Sequence, residues 1–144
     1  MIRRILVALD GSARSSGVFD AAAEIATRFE AKMLLLRVIH VPPEFPPSGA
    51  GNEADHLPAV LAQRALEALT RQAARRPDLD IEVPIIREGQ SWRAIVAASD
   101  ELDVDLIVVG SHGYHGLDRV LGTTAGKVAN LALRNVLVVH ERPT

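Results

Sequence analysis

Short apolar runs alternate with longer amphipathic stretches along the whole chain. The run from Ile5 to Leu9 is continuously apolar and has the length of a strand, which indicates burial on both faces. Pro84 lies inside the third such run and favours a place at an edge of the sheet. The pattern predicts strands over Ile5 to Leu9, Met33 to Val41, Ile81 to Arg87, Leu106 to Gly110 and Val136 to His140.

Between these runs, apolar residues recur with the spacing of a helix. The first stripe consists of Val18, Ala22, Ile25 and Phe29, and later stripes predict three more helices. The second helix is marked by the stripe from Ala62 to Ala73 and ends near Pro77. The third is capped by Ser91, and the last runs from Thr123 to Leu133. Alternating strands and helices predict an α/β fold, with a five-stranded parallel sheet and helices on both faces. We expect one domain over residues 1–144.

Composition narrows the class of protein. The chain has 144 residues, 48% of them hydrophobic, and a formal net charge of -2, so it carries no basic footprint for nucleic acid. It has no cysteine, which excludes disulfides and thiolate chemistry. No apolar run approaches the roughly 18 residues that span a membrane. We expect a cytoplasmic protein that binds neither membrane nor nucleic acid.

Polar and glycine residues follow three of the predicted strands. These are Asp10-Gly11 after the first, His40-Val41 at the end of the second and Gly110 to Gly113 after the fourth. Parallel sheets bind ligands at the carboxyl ends of strands, where the strand order reverses. If strands one, two and four are neighbours, these segments line one crevice.

The glycines after the fourth strand favour a phosphate group. Gly110-Ser-His-Gly113 is followed nine positions later by Gly122-Thr123-Thr124, at a predicted helix start. Glycine lets the backbone approach an anion, and a helix start supplies unpaired N–H groups. The sequence therefore predicts a nucleotide held mainly by backbone groups.

Better-known motifs do not fit. Three residues separate Gly122 from Gly126 and Val128 follows Lys127, whereas a P-loop needs four residues and then serine or threonine. His112 and His115 lack a convincing third ligand, so two solvent-exposed loop histidines are the favoured interpretation and no metal site is assigned. We see no placed general base or Ser-His-Asp arrangement.

Taken together, these segments resemble the universal stress protein family over nearly the whole chain, from Arg3 to Glu141. The matching segments are Ile5 to Leu9 with Asp10-Gly11-Ser12, Leu35 to Val38, Arg87 to Gly89, Asp105 to Gly113, Gly122-Thr123 and Val136 to Val139. The resemblance implies a Rossmann-like fold of the adenine nucleotide alpha hydrolase-like type. It also implies a homodimer formed through the last strand, Val136 to Val139. We expect this apolar strand to lie at an open edge of the sheet, which invites pairing.

The resemblance also implies a ligand, ATP with Mg²⁺ or Mn²⁺ on its phosphates. In ATP-binding members an acid after the first strand contacts the adenosine, which corresponds to Asp10, and a valine in the second strand touches the adenine, which corresponds to Val38. The family's phosphate motif corresponds to Gly110, Gly113, Gly122 and Thr123, with Thr124 as a further hydroxyl. Eight residues separate Gly113 from Gly122 where the family has nine, so the loop Tyr114 to Leu121 leaves the phosphate position open.

Simpler interpretations accompany each residue. Asp10 could cap a helix or close a turn, the glycines could serve a tight turn, and Thr123 and Thr124 are expected to cap the last helix. Three functions remain: a regulatory module that binds ATP, which we favour, a nucleotide-free dimeric interaction module in the stress response, and a slow ATPase or nucleotidyl transferase. We expect no enzyme activity.

Overall fold

The computed structural model describes residues 1–40, 53–111 and 122–141. The described residues form five strands and four helices, and strands and helices alternate strictly along the chain. In chain order the elements are β1 (Arg4–Ala8), α1 (Ser15–Phe29), β2 (Lys32–Ile39), α2 (Glu53–Ala74), β3 (Ile85–Glu88), α3 (Ser91–Glu101), β4 (Leu106–Gly110), α4 (Thr123–Leu131) and β5 (Asn135–Val139).

All five strands join one parallel sheet in the order β3-β2-β1-β4-β5. The predicted α/β fold is confirmed, and strands one, two and four are neighbours as the crevice requires. The order reverses between β1 and β4, because the chain first builds outward to β3 and then returns to the other side of β1. β3 lies at an edge, in agreement with Pro84, but it is shorter than expected and Ile81 contributes only an isolated bridge to Met33.

The central strands are apolar on both faces because helices cover both. Ile5, Leu6 and Val7 of β1 are all 0% exposed. Alternate residues contribute to two separate cores: Ile5 and Val7 pack with α1 and α2, whereas Leu6 packs with α3 and α4. This arrangement explains why the strand reads as a continuous apolar run and not as an alternating one.

Helix boundaries depart from the sequence predictions at several ends. The second helix begins at Glu53 with Pro58 inside it, well before Ala62. The third includes Ser91 as its first residue, and its N-cap position is Gln90, which makes no side-chain cap bond. Ser91 is therefore not a cap, and the prediction was wrong there because a serine at a helix start can equally occupy the first turn.

An aspartate fastens the amino ends of the two central strands. Asp105 Oδ2 accepts hydrogen bonds from the backbone N–H groups of Arg3 at 2.9 Å and Arg4 at 3.0 Å. The Arg3 N–H group, with help from that of Arg4, holds the pKa of the Asp105 carboxyl below its usual value although partial desolvation opposes the shift. The amide of Asp105 returns a bond to the Arg4 carbonyl at 2.9 Å, so β1 and β4 are fixed in register before the sheet begins.

Candidate functional site

A crevice opens at the carboxyl ends of β1, β2 and β4, where the strand order reverses. Its volume is about 210 Å³. Residues from the strands form its floor, and residues from the starts of α1, α3 and α4 form its rim. The lining consists of Ala8, Leu9, Asp10, Ser15, Val18, Leu36, Val38, Ser91, Ile95, Val109, Gly110 and Thr124.

Four of the seven residues predicted for the site meet in this crevice. They are Asp10 after β1, Val38 on β2, Gly110 at the end of β4 and Thr124 in the first turn of α4. Gly122 and Thr123 are described but do not line it. Gly113 lies outside the described residues, as do the loop Tyr114 to Leu121 and the histidines His112 and His115.

One wall of the crevice is apolar. Val38 projects from β2 on the face that α3 and α4 cover, and it packs against the same core as Ile95 and Val109. Ile95 is 3% exposed and comes from α3, one turn after Ser91. An apolar slot with few polar groups at its rim is the usual form of a site that accepts a planar ring.

Asp10 sits at the rim, exposed, within a network of short hydrogen bonds. Its Oδ1 atom accepts from the Ser12 N–H group at 2.9 Å and from the Ser15 hydroxyl at 3.1 Å. The N-cap residue of α1 is Arg14, which makes no side-chain cap bond. Asp10 therefore closes the turn between β1 and α1 and does not cap the helix.

Gly110 has a packing reason to be glycine. A Cβ atom at this position would lie 3.0 Å from Cγ2 of Val18, closer than most real contacts. The same residue belongs to the crevice and also to a second one of about 190 Å³ on the α1 side of the sheet. The Arg14 guanidinium, paired with Glu141 through Nε and Oε2 at 3.0 Å, lines the second crevice. Close packing against Val18 therefore favours glycine here.

The start of α4 differs from the expected capping arrangement. Gly122 is the N-cap residue and makes no side-chain cap bond, so Thr123 and Thr124 are the first two helical residues and not caps. Thr124 is half-buried against the crevice, whereas Thr123 is exposed. The first N–H groups of any α-helix lack intrahelical acceptors, and here they come next to the crevice.

Lys127 is exposed, and its ammonium group lies over an aromatic ring. Its Nζ atom lies 4.9 Å from the centroid of the Trp92 ring, and Cζ of Arg93 lies 5.1 Å from the same centroid. A cation over an aromatic face is attracted by the ring quadrupole. Trp92 packs beside the α3–α4 core, and its buried Nε1 atom has no hydrogen-bond partner among the residues that the structure describes.

The described residues contain neither a metal-binding cluster nor a helix that could span a membrane. In residues 1–40, 53–111 and 122–141, no group of three histidine, cysteine, aspartate or glutamate side chains could hold a metal ion. Within the same ranges no helix is both long enough and apolar enough to cross a membrane.

Ser15, Ser91 and Ile95 are among the lining residues that the sequence did not assign to the site. Ser15 carries the hydroxyl that contacts Asp10, and its signal was its place five positions after that acid. Ser91 and Ile95 line the α3 side, and there the signal was a serine and an apolar residue four positions apart at the start of a helix. Ser91 was assigned to a cap and Ile95 to a helix stripe, because periodicity does not reveal which helix start faces the sheet's open end.

Comparison with known proteins agrees along the whole length of the chain. A model of the universal stress protein family matches residues 1–140. The chain is similar to universal stress protein A homolog 1 of Coxiella burnetii, with 34% identity over 95% of each protein.

Solved structures give the same result. The universal stress protein UspA from Lactobacillus plantarum superposes with a TM-score of 0.78, at 26% identity over 96% of this chain and 97% of that one. A universal stress protein in complex with cAMP superposes with a TM-score of 0.70, also at 26% identity, over 96% of this chain and 97% of that one.

Proposed function

The chain belongs to the universal stress protein family, and from this and its crevice we propose that it binds an adenine nucleotide, ATP, as a regulatory ligand. The observation that carries the proposal is the meeting of Asp10, Val38, Gly110 and Thr124 around one crevice at the reversal of strand order. Such positions in open α/β sheets are where nucleotides bind. A solved relative in complex with cAMP adds support for this class of ligand.

In this proposal the base lies in the apolar slot beside Val38 and Ile95. Asp10 accepts hydrogen bonds from donor groups of the nucleoside, because an ionised carboxylate is an acceptor only. The absence of a side chain on Gly110 brings the backbone of β4 close to the sugar.

The phosphates would run toward the start of α4. N–H groups in a first helical turn and the positive end of the helix dipole favour an anion. Thr124, which lines the crevice, and Thr123 beside it offer hydroxyl donors. Mg²⁺ or Mn²⁺ would accompany the phosphate oxygens, since hard cations prefer oxygen ligands.

We propose binding without turnover. Lys127 is the lysine of the segment that resembles a P-loop, and it lies over the Trp92 ring. Among the described residues no lysine lines the crevice, and we propose a ligand that shifts the protein between states rather than a substrate. A ligand achieves such a shift through its different affinity for each state.

We further propose that two copies pair through β5, which forms one edge of the described sheet. The carbonyl of Val139 accepts a bond from the Ser111 N–H group at 2.9 Å, so Val139 faces β4. Since strand residues alternate, Val138 presents its N–H group to the outer edge. Val138→Pro should therefore abolish the dimer in light scattering while sparing the β4 ladder, and a dimer that survives would contradict pairing through this edge.

The nucleotide proposal is tested by mass spectrometry of small molecules released from the denatured protein and by calorimetric titration. ATP with Mg²⁺, AMP and cAMP are titrated in parallel. Val38→Glu places a charge in the slot and should weaken ATP binding at least tenfold. Val83→Glu is the matched control, because Val83 is 82% exposed and lies away from the crevice.

If no nucleotide co-purifies and none binds, the nucleotide proposal is wrong. The chain would then act as a nucleotide-free dimeric interaction module, the second function that the sequence left open. Slow release of ADP from bound ATP would instead favour the slow ATPase.

A further inference from the structure

Ser15 is a buried polar residue at the start of α1, where the neighbouring Ser12 and Ser16 are exposed. It is the first residue of α1 and only 8% exposed, and together with Ser99 it forms the set of buried polar side chains among the described residues. Ser99 donates to a carbonyl of its own helix, at Val96. Ser15 instead faces the crevice and bonds to the preceding loop.

The Ser15 hydroxyl links a side chain to the backbone. It donates to Asp10 Oδ1 at 3.1 Å and accepts from the Gly11 N–H group at 3.1 Å. The same Oδ1 atom accepts from the Ser12 N–H group at 2.9 Å. The loop and the helix start are thus joined by a network of three hydrogen bonds, and the Ser15 oxygen takes part in two of them.

This network fixes the orientation of an exposed carboxylate. Two donors on Oδ1 define the plane of the Asp10 carboxyl group, and the Gly11 bond fixes the backbone on which it is carried. Ordering a side chain during binding costs conformational entropy, and a side chain that is already ordered avoids that cost. The serine therefore acts on a ligand through the aspartate.

We propose that Ser15 is the positioning residue of this site, holding Asp10 in the orientation in which it accepts hydrogen bonds from the nucleoside. The inference rests on the proposed function, since it assigns Asp10 to the nucleotide. Under this proposal the hydroxyl contributes to affinity only while the Asp10 carboxylate is present. A role confined to folding of the α1 start would not depend on Asp10.

A double-mutant cycle tests this dependence. Ser15→Ala should weaken ATP binding about fivefold to tenfold in calorimetry, and Asp10→Ala should weaken it at least as much. In the Asp10→Ala background, Ser15→Ala should change affinity less than twofold. Fully additive losses would overturn the positioning role.

The neighbouring serine supplies the matched control. Ser16 is exposed, and its hydroxyl bonds only weakly, at 3.4 Å, to the Ala13 carbonyl. Ser16→Ala should leave ATP affinity unchanged. Ser15→Thr, which retains the hydroxyl, should recover most of the affinity, and Ser15→Cys replaces the alanine variant if alanine does not fold, because it keeps the size with a much weaker donor.

A measurement on the ligand-free protein tests the hydrogen bond from the Gly11 N–H group to Ser15 independently of nucleotide binding. Hydrogen exchange by nuclear magnetic resonance should show the Gly11 amide exchanging at least tenfold faster in Ser15→Ala than in wild type or Ser16→Ala. If wild type binds no nucleotide, the proposed function fails and the positioning role fails with it. If wild type binds and Ser15→Ala binds equally well, the positioning role alone is overturned.

Discussion

At each end of the sheet an aspartate accepts hydrogen bonds from backbone N–H groups, Asp10 at the carboxyl end and Asp105 at the amino end. Asp105 bonds across the sheet from β4 to β1, through a separation of more than a hundred residues. Asp10 accepts hydrogen bonds from Ser12 in its own loop and from Ser15 in the first turn of α1. The Asp105 carboxylate joins two strands, whereas the Asp10 carboxylate closes the turn that borders the crevice.

The difference shows that similar local chemistry serves unlike purposes at the two ends. At the carboxyl end the strand order reverses and leaves an apolar crevice that Asp10 borders. At the amino end Asp105 fastens the two central strands together. We therefore expect substitutions at the carboxyl end to act on ligand affinity, and those at the amino end to act on the free energy of unfolding.

The largest effect should come from Gly110→Val. The new side chain enters the boundary of the crevice, and its Cβ would lie 3.0 Å from Cγ2 of Val18. ATP affinity in calorimetry should fall about 100-fold, which corresponds to roughly 2.7 kcal/mol. Adding Val18→Ala should relieve the packing conflict without restoring affinity. Recovery of binding in the double variant would mean that Gly110 serves packing alone.

Asp105→Ala should produce the opposite result. The N–H groups of Arg3 and Arg4 lose their acceptor, and the free energy of unfolding in urea should fall by about 1–3 kcal/mol. ATP affinity should stay within twofold of wild type. Asp80→Ala is the control, since this 71% exposed carboxylate pairs only loosely with Lys32, at 3.9 Å, and should cost less than about 1 kcal/mol.

Replacing two glycines near the carboxyl end of the sheet should change the free energy of unfolding by smaller amounts and in opposite directions. Gly11 has φ of +78°, and a Cβ there would overlap Nη1 of Arg37. Because that guanidinium can move, the backbone cost dominates, and Gly11→Ala should lower the free energy of unfolding by roughly 1–2 kcal/mol. Gly17 lies within α1 with nothing within 4 Å of a built Cβ, so Gly17→Ala should stabilise the protein by about 0.5–1 kcal/mol. Thermal unfolding of both variants measures the two changes in stability. If both variants are stabilised, or both are destabilised, the predicted contrast is wrong.

The two ends also differ in how well the sequence predicted them. The strands at the centre were placed within one or two residues, because continuous apolar runs such as Ile5 to Leu9 have few alternative explanations. The sequence stated the neighbourhood of strands one, two and four only as a condition for one crevice, and the order β3-β2-β1-β4-β5 fulfils it. Asp10, Gly110 and Thr124 were assigned to the crevice because each stands at a strand end or a helix start, whereas Val38 was implied only by the family resemblance.

What the sequence missed depends on contacts between distant segments. The bonds from Asp105 to Arg3 and Arg4 have no local pattern, so its fastening role was not predicted. The helix caps were predicted wrongly, because hydroxyl residues such as Thr123 are compatible with both the cap and the first turn. Ser15 looked like one more polar residue at a helix start, and only the path of the β1–α1 loop turns it toward Asp10.

The smallest effect is a dependence of stability on pH at the amino end. The N–H groups of Arg3 and Arg4 keep the pKa of Asp105 below its unfolded value of about 4. A carboxyl group with a lowered folded pKa stabilises the protein above the unfolded pKa, and this contribution is lost as the pH falls through the folded pKa. Because Asp105 is partly exposed, we expect a change of less than about 1 kcal/mol.

Urea unfolding of wild type and Asp105→Asn, from pH 7 down to pH 2, measures this change. The asparagine keeps the shape of the side chain but does not titrate, so the stability gap between the two proteins should narrow as the pH falls below about 4. A gap that stays constant would show that Asp105 holds the strands by shape and not by charge. The amino end would then resemble the carboxyl end, where we propose that the orientation of a carboxylate sets ligand affinity.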